Sequence, residues 1–259
     1  MPQVTRSCWM RVRSKDWWER VVLQEFNDDE WRENFRMSRP EVFKLCDVVN
    51  PFMKPVENPI RTPIPVQMRV AIVVYKLGSF CEYSLVANQF GVHKSTVMKF
   101  MRLFCRGMVE SAVIHKFIKV PNLEEARRTA RHFQEKYHLP QVIGCIDGTH
   151  IPILPPSDFV NRKSWPSYVL QAVVDNAYCF WNINCKMPGS AHDANVLKQS
   201  ALFEKAHQLP KDPIEIDGTE VDFFLLGDPA YPLLNWLMKG YTSKANPRAG
   251  VFQCLPQRG

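Results

Sequence analysis

Two aspartates stand where a carboxylate is expensive. Asp147 interrupts Ile143-Gly144-Cys145-Ile146-Asp147-Gly148-Thr149-His150, a run otherwise fit for a buried strand, and Asp228 closes the apolar segment Phe223-Phe224-Leu225-Leu226-Gly227. A buried carboxylate must be paired or coordinated to offset its lost hydration. Two of them delivered from adjacent strands would form a hard, oxygen-rich site of the kind that Mg²⁺ or Mn²⁺ accepts. Such a pair can bridge two ions, one activating water or a 3′-hydroxyl, the other stabilising the leaving oxygen of an in-line phosphoryl displacement. Either aspartate alone is better read as a strand-end or turn residue bonded to backbone; the shared context favours a site. Asp193, in Pro188-Gly189-Ser190-Ala191-His192-Asp193, is a third metal candidate. Its place at a helix start is explained more cheaply by capping or by the helix dipole. Asp175, in Asp175-Asn176-Ala177, reads as a turn, and Asn161-Arg162-Lys163 reads either as a phosphate contact or as a solvated loop.

A second chemistry lies upstream. Leu85 to Val92, followed by Lys94 to Phe100, has the form of a helix, a glycine turn and a second helix. Ala87 permits close approach of the two helices, and Gly91 supplies the positive φ that a tight turn needs. Val92, Val97 and Phe100 are expected in a small core. His93, Lys94, Ser95, Thr96 and Lys99 would then lie on the outward face of the second helix, the face that enters a major groove in this motif, with Arg102 and Arg106 extending the basic stripe toward phosphates. A generic helical hairpin has the same outline. Charge favours the nucleic-acid reading, because 61–119 holds nine Lys and Arg against only Glu82 and Glu110.

The elements that must carry these residues change character along the chain. Residues 1–140 hold 23 Lys and Arg against 15 Asp and Glu, whereas 141–259 hold 10 against 11, so the whole net charge of +7 comes from the first part. Trp17, Trp18, Val21, Val22, Phe26, Trp31 and Phe35 recur at helical spacing, and Ser38-Arg39-Pro40-Glu41 has the capping-box pattern ahead of a helix expected to stop before Pro51. After a proline-rich connector, a helix is expected from about Val66 to Leu77, ended by Gly78. Asn122 predicts the N-cap of a polar helix, Leu123 to Tyr137, read as a connector over 121–140.

Beyond Pro140 the period becomes that of strands. Val142 to Leu154, Tyr168 to Val174, Phe180 to Cys185 and Phe223 to Leu226 read as strands, with a helix starting at Ser190 or at His192-Asp193 and a short one near Leu233 to Met238. The expected organisation is a helical region over 1–120, with the helix-turn-helix at about 84–106, then the connector, then an α/β domain over 141–259. With 259 residues and 46% apolar content the chain can bury a substantial core. No apolar run approaches the roughly 20 residues of a membrane span, and no secretory h-region follows the charged N-terminus, so a soluble, non-secreted protein is expected. Eight scattered cysteines without a C-x-x-C pair indicate neither a disulfide scaffold nor a zinc site.

Taken together, Ile146-Asp147-Gly148-Thr149-His150, Asn161-Arg162-Lys163, Pro188 to Asp193 and Leu226-Gly227-Asp228-Pro229-Ala230-Tyr231-Pro232-Leu233 resemble, in order, the landmarks of the PIF/Harbinger transposases and the nucleases derived from them. The similarity runs from about Trp17 to Tyr241. It implies an RNase H-like mixed sheet with flanking helices, preceded by the all-α helix-turn-helix region. It also implies a DDE metal triad that cuts DNA with Mg²⁺ or Mn²⁺, with Asp147 and Asp228 as its first two carboxylates. The third would be a glutamate on a helix falling just past Gly259, and no glutamate follows Glu220. The expectation is therefore that the C-terminal part of the RNase H-like fold lies outside this chain, leaving weak metal binding and little strand cleavage. The rival expectation is a domesticated DNA-binding or adaptor protein without chemistry. By the same resemblance, a Myb-like DNA-binding partner and a nuclear location, with a cytoplasmic pool, are expected.

Overall fold

The computed structural model describes residues 13–55, 62–111, 113–154 and 159–240. It divides into two compact units between Ile114 and His115.

The first unit is helical. Trp17–Glu25 is wound as a π-helix and is followed by α1 (Asp28–Phe35), α2 (Arg39–Met53), α3 (Val66–Ser79), α4 (Tyr83–Gln89) and α5 (Lys94–Glu110). Asn27 starts α1 by accepting from the N–H groups of Asp29 and Glu30 while Glu30 returns to the Asn27 N–H, so both orphan donors and the cap itself are satisfied. Arg36, at φ 57°, stops it in the left-handed region. At α2 the Glu41 carboxylate accepts from the Ser38 N–H and hydroxyl at 2.7 Å each. Around this frame Trp18, Val22, Trp31, Phe35, Met53, Met68, Val70, Ile72 and Phe90 make one buried cluster.

Two helix ends differ from their expected places. α2 does not stop before Pro51; it includes that residue and runs to Met53. In the last turn the missing proline N–H costs one hydrogen bond, and Met53 is fully buried beyond it, so packing outweighs the loss. The Lys54 N–H still closes the turn on the Asn50 carbonyl at 3.0 Å. Likewise α3 continues past Gly78 to Ser79, and the left-handed residue that ends it is Phe80, at φ 54°. Gly78 serves side-chain packing instead, since a Cβ there would sit 3.1 Å from the Arg36 Cγ.

Gly107 has a sharper role. A methyl group at this buried α5 position would overlap the Phe52 ring of α2. Gly107→Ala is expected to destabilise the protein by about 1–3 kcal/mol, the usual cost of overpacking a core, read as a lower urea midpoint at unchanged m-value.

The second unit combines helix and sheet. α6 (Ile114–Phe117) lies at the division, and α7 (Leu123–Tyr137) follows with Asn122 as its cap, the Asn122 side chain accepting from the Glu125 N–H at 2.9 Å. The connector expected here is in fact part of this unit. Ala126 and Ala130 of α7 share a cluster with Ile143 and Ile146, and Phe133 packs with Val142 and Phe224. Then come β1 (Val142–Pro152), β2 (Ser167–Val174), β3 (Phe180–Pro188), α8 (Asp193–Lys198), α9 (Ala201–Glu204), β4 (Ile214–Ile216), β5 (Thr219–Val221), β6 (Phe224–Gly227) and β7 (Leu237–Lys239). Five strands form one mixed sheet in the order β3-β2-β1-β6-β7. β1, β2 and β3 are antiparallel neighbours, whereas β6 runs parallel to β1 and β7 parallel to β6. β4 and β5 form a separate hairpin turned by Asp217 and Gly218, both at positive φ, an element that short polar segments did not announce.

The last element also corrects the sequence reading. Leu233 to Met238 is not a short helix: Leu237 begins a strand whose partner is Leu225, and Leu237 is fully buried there. Leu234 and Leu237 exchange backbone hydrogen bonds at 2.9 and 3.1 Å, closing a tight turn that delivers the chain to the sheet edge. Sheet pairing decides the conformation of so short a segment, where local propensity is weak. The C-terminal stretch 241–259, on which the expectation of an incomplete fold bears, lies outside the described residues.

Candidate functional site

β1 and β6 run side by side in the same direction, with Ile146 opposite Gly227. The next residue on each chain is therefore Asp147 and Asp228, so the two aspartates stand side by side where β6 ends, Asp147 lying within β1 and still opposite Ala172 of β2. Both carboxylates also bind backbone: Asp147 Oδ1 accepts from the Gly148 N–H at 2.7 Å and Asp228 Oδ1 from the Ala230 N–H at 3.0 Å. One premise is corrected here. Asp147 is not buried; β1 emerges from the core at this residue, and both Asp147 and Asp228 are exposed.

The carboxylate that does suffer burial is Asp193. His192 caps α8 by accepting from the Ala194 N–H at 3.3 Å, so Asp193 is not the cap expected from its position. Its side chain instead turns toward the sheet, where a Cβ on Gly148 would stand 2.8 Å from Asp193 Oδ1. Burial raises the Asp193 carboxyl above the ordinary carboxylate range, and the charges of Asp228 and Asp147 push it the same way against the opposing pull of His192 and His150. Because the folded state raises this acid's pKa, its stabilising contribution is full below the ordinary value of 3.8 and is lost as pH rises through the raised one. Asp193→Asn is therefore expected to raise the metal-free unfolding temperature near pH 7, with the gain shrinking toward pH 4; a scan of unfolding against pH checks the sign.

Beneath the three carboxylates lies a polar pair that sequence reasoning missed. Gln171, opposite Gly148 on β2, donates through Nε2 to the Tyr231 hydroxyl at 3.2 Å, and both side chains are buried. Burial, together with the negative field of Asp193, Asp147 and Asp228, pushes the Tyr231 phenol well above its usual range. Only the alternation of polar Gln171 within apolar β2 hinted at it. Asn161 belongs to the scaffold as well: its Oδ1 accepts from the Lys163 N–H at 2.8 Å, leaving Arg162 and Lys163 exposed.

The residues expected to face nucleic acid are on the first unit. Gly91, at φ 62°, turns the chain between α4 and α5, with Val92, Val97 and Phe100 buried. Lys94, Ser95, Lys99, Arg102 and Arg106 are exposed and Thr96 is half-buried. His93 is exposed too, yet its Nδ1 is committed to the helix start, lying 2.7 Å from Ser95 Oγ and accepting from the Ser95 N–H. Arg106 pairs with Glu110 at 3.8 Å.

Residues 146–253 match the family model described as a DDE superfamily endonuclease. That match and the relatives that follow are consistent with the Harbinger transposase-derived nuclease family. Among the chain's relatives, an ALP1-like protein of Arabidopsis thaliana is 30% identical over 250 residues, covering 90% of this chain and 61% of the relative. A second Arabidopsis thaliana protein, named as the antagonist of like heterochromatin protein 1, is 28% identical over 88% of this chain and 62% of its own length. HARBI1 of Homo sapiens, whose name marks it as a candidate nuclease, is 24% identical over 85% of this chain and 61% of its own. The chain thus spans about three fifths of the curated relatives it matches. No solved structure matches it significantly.

DDE superfamily endonucleases generally use divalent metals. Among the described residues no three His, Cys, Asp or Glu side chains already stand at metal-ligand spacing. The donor set nevertheless suits a hard cation, because Asp147 and Asp228 offer free carboxylate oxygens in a field negative enough to shift both Asp193 and Tyr231. Among the described residues no helix is long and apolar enough to cross a membrane.

Proposed function

We propose that the protein is a transposase-derived DNA nuclease whose RNase H-like second unit cleaves phosphodiester bonds with Mg²⁺ or Mn²⁺ held by Asp147 and Asp228. The observation that carries this reading is the parallel register of β1 with β6, which sets Asp147 beside Asp228 at the end of β6. Asp193, half-buried against Gly148, is the further oxygen donor on hand. A bound ion would stabilise the charge that develops on an oxygen in phosphoryl displacement. Gly148 leaves room for Asp193 beside the strand, and the backbone bonds to Asp147 and Asp228 engage one oxygen of each. The exposed cationic side chains Lys94, Lys99 and Arg102 on α5 favour a helix-turn-helix that lies on DNA, with Arg106 and Ser95 beside them. DNA as substrate, a Myb-like partner and a nuclear location belong to the same proposal.

Nicking of supercoiled plasmid in Mn²⁺ tests it. Loss of nicking in Asp147→Ala and Asp228→Ala is the expected result, and nicking that survives both substitutions would sink the assignment. A second reading has one observation behind it, the name of the relative that antagonises a heterochromatin protein. That reading is a DNA-binding adaptor without chemistry, and it expects salt-dependent DNA binding indifferent to Asp147 and Asp228, with a slope set by the number of phosphates contacted.

A further inference from the structure

The residue that ends α3 is costly twice over. Phe80 closes the helix in the left-handed region, at φ 54°, where glycine or asparagine sits with less strain. Arg36 and His138 stop their helices in the same way, but their polar side chains belong in water. The Phe80 ring does not, and it is 93% exposed. Neither backbone conformation nor burial accounts for phenylalanine here, and a strained position that folding does not reward is grounds for a functional reading.

Phe80 lines an open groove of the helical unit together with Lys76 of α3, Tyr83 at the start of α4, and Lys94 and Met98 of α5. The Lys76 ammonium lies over the Tyr83 ring, 5.2 Å from its centroid, which pairs the cation with an aromatic face. Lys94, Met98 and Arg102 follow one another at spacings of four and are all exposed, so they form one stripe along α5, and Phe80 stands beside its N-terminal end. Glu82 also lines the groove, its carboxylate accepting from the Ser84 hydroxyl at 3.3 Å. Two lysines against that glutamate leave the groove positive, within a stretch, 61–119, that is itself strongly basic.

An exposed aromatic ring among cations suits a polyanion that also presents apolar surface. DNA is such a ligand, since its phosphates flank the deoxyribose rings and base edges of each groove wall. An apolar peptide would use the ring but not Lys76 and Lys94. We infer that Phe80 packs against deoxyribose and base edges of DNA at the wall of the groove that α5 enters, with Lys76 and Lys94 on adjacent phosphates. The inference deepens the helix-turn-helix reading and rests on it. The lysines then contribute affinity through release of counterions, which salt weakens, and Phe80 contributes through burial of its ring, which salt does not.

Binding of a mixed-sequence oligonucleotide duplex to the full chain, measured over a range of salt concentrations, separates the two contributions. Phe80→Ala should weaken binding about tenfold at every salt concentration, the low end of what burying an aromatic side chain is worth, and should leave the slope of log K against log salt unchanged. Lys76→Ala and Lys94→Ala should each reduce that slope by about one. Phe80→Trp should bind as wild type does. Phe80→Gly should weaken DNA binding as alanine does while raising the urea midpoint, because it relieves the left-handed strain and uncovers no core. Unchanged affinity in Phe80→Ala, where Lys94→Ala still lowers the slope, would overturn the Phe80 contact, leave the helix-turn-helix reading intact and point the groove toward a protein partner. Weaker binding accompanied by a lower urea midpoint in both Phe80→Ala and Phe80→Gly would make Phe80 a structural residue and overturn the contact as well. A slope indifferent to Lys94→Ala and Lys99→Ala would instead refute the helix-turn-helix reading itself, and the Phe80 contact with it.

Discussion

Replacing Asp147 or Asp228 with asparagine should abolish the stabilisation that Mn²⁺ confers on the protein. An ion that binds only the folded state raises its stability by about 2.7 kcal/mol when present at a hundredfold excess over its Kd. In wild type this should appear as a clear rise in unfolding temperature with added Mn²⁺. Each aspartate supplies a charged oxygen that no backbone group replaces, because Asp147 and Asp228 each use one oxygen on a neighbouring N–H and have the other to give. An asparagine keeps that backbone bond and loses the charge, so the folded structure persists while the ion's attraction falls. Without metal the same variants should be at least as stable as wild type, since each removes one member of a set of like charges that already shifts Asp193. The opposite signs with and without metal separate a ligand from a structural residue. If Asp228→Asn keeps the full Mn²⁺ response, the pair is not the site.

The second large effect belongs to the helical unit. Trp31 is fully buried, its ring 4.6 Å from that of Phe35 and 6.3 Å from that of Trp18. Trp31→Ala should cost about 3–5 kcal/mol, the range for deleting a large aromatic from a core that relaxes only partly. Against a typical total of about 5–15 kcal/mol, that is enough to populate unfolded forms at moderate temperature. Trp31→Phe provides the control with a physical point of its own. The buried Trp31 Nε1–H has no partner among the described residues, so phenylalanine keeps much of the aromatic contact while removing a donor they leave unsatisfied. Urea unfolding should place Trp31→Phe far closer to wild type than to Trp31→Ala. Equal losses would mean that the indole N–H, and not ring packing, holds this part of the core.

What could be read ahead of the fold was local. The cap at Asn122 and the helix from Leu123 to Tyr137 depend on contacts within four residues, as do the Ser38–Glu41 box, the positive φ at Gly91 and the turn at Asp175, whose Oδ1 accepts from Ala177 and Cys179. The strands around Asp147 and Asp228 were legible for the same reason, since apolar runs declare themselves residue by residue. Readings that turned on distant partners went differently. Pro51 stays helical because Met53 is anchored in the core, and Leu237 is a strand because Leu225 is there to pair with it. Cap and carboxylate at 192–193 exchange roles because Gly148 leaves space beside β1 for Asp193.

The same division runs through the site itself. Sequence alone determined which residue types were out of place, two aspartates closing apolar runs and a basic stripe following a glycine turn, because hydrophobic periodicity and charge are properties of neighbours along the chain. Only the tertiary structure decided that Asp147 and Asp228 emerge side by side in the open, that Asp193 is the carboxylate pressed by burial and like charge, and that Gln171 and Tyr231 pair beneath them. Those facts depend on strand register and on space left by Gly148, and register is set by pairing between segments tens of residues apart.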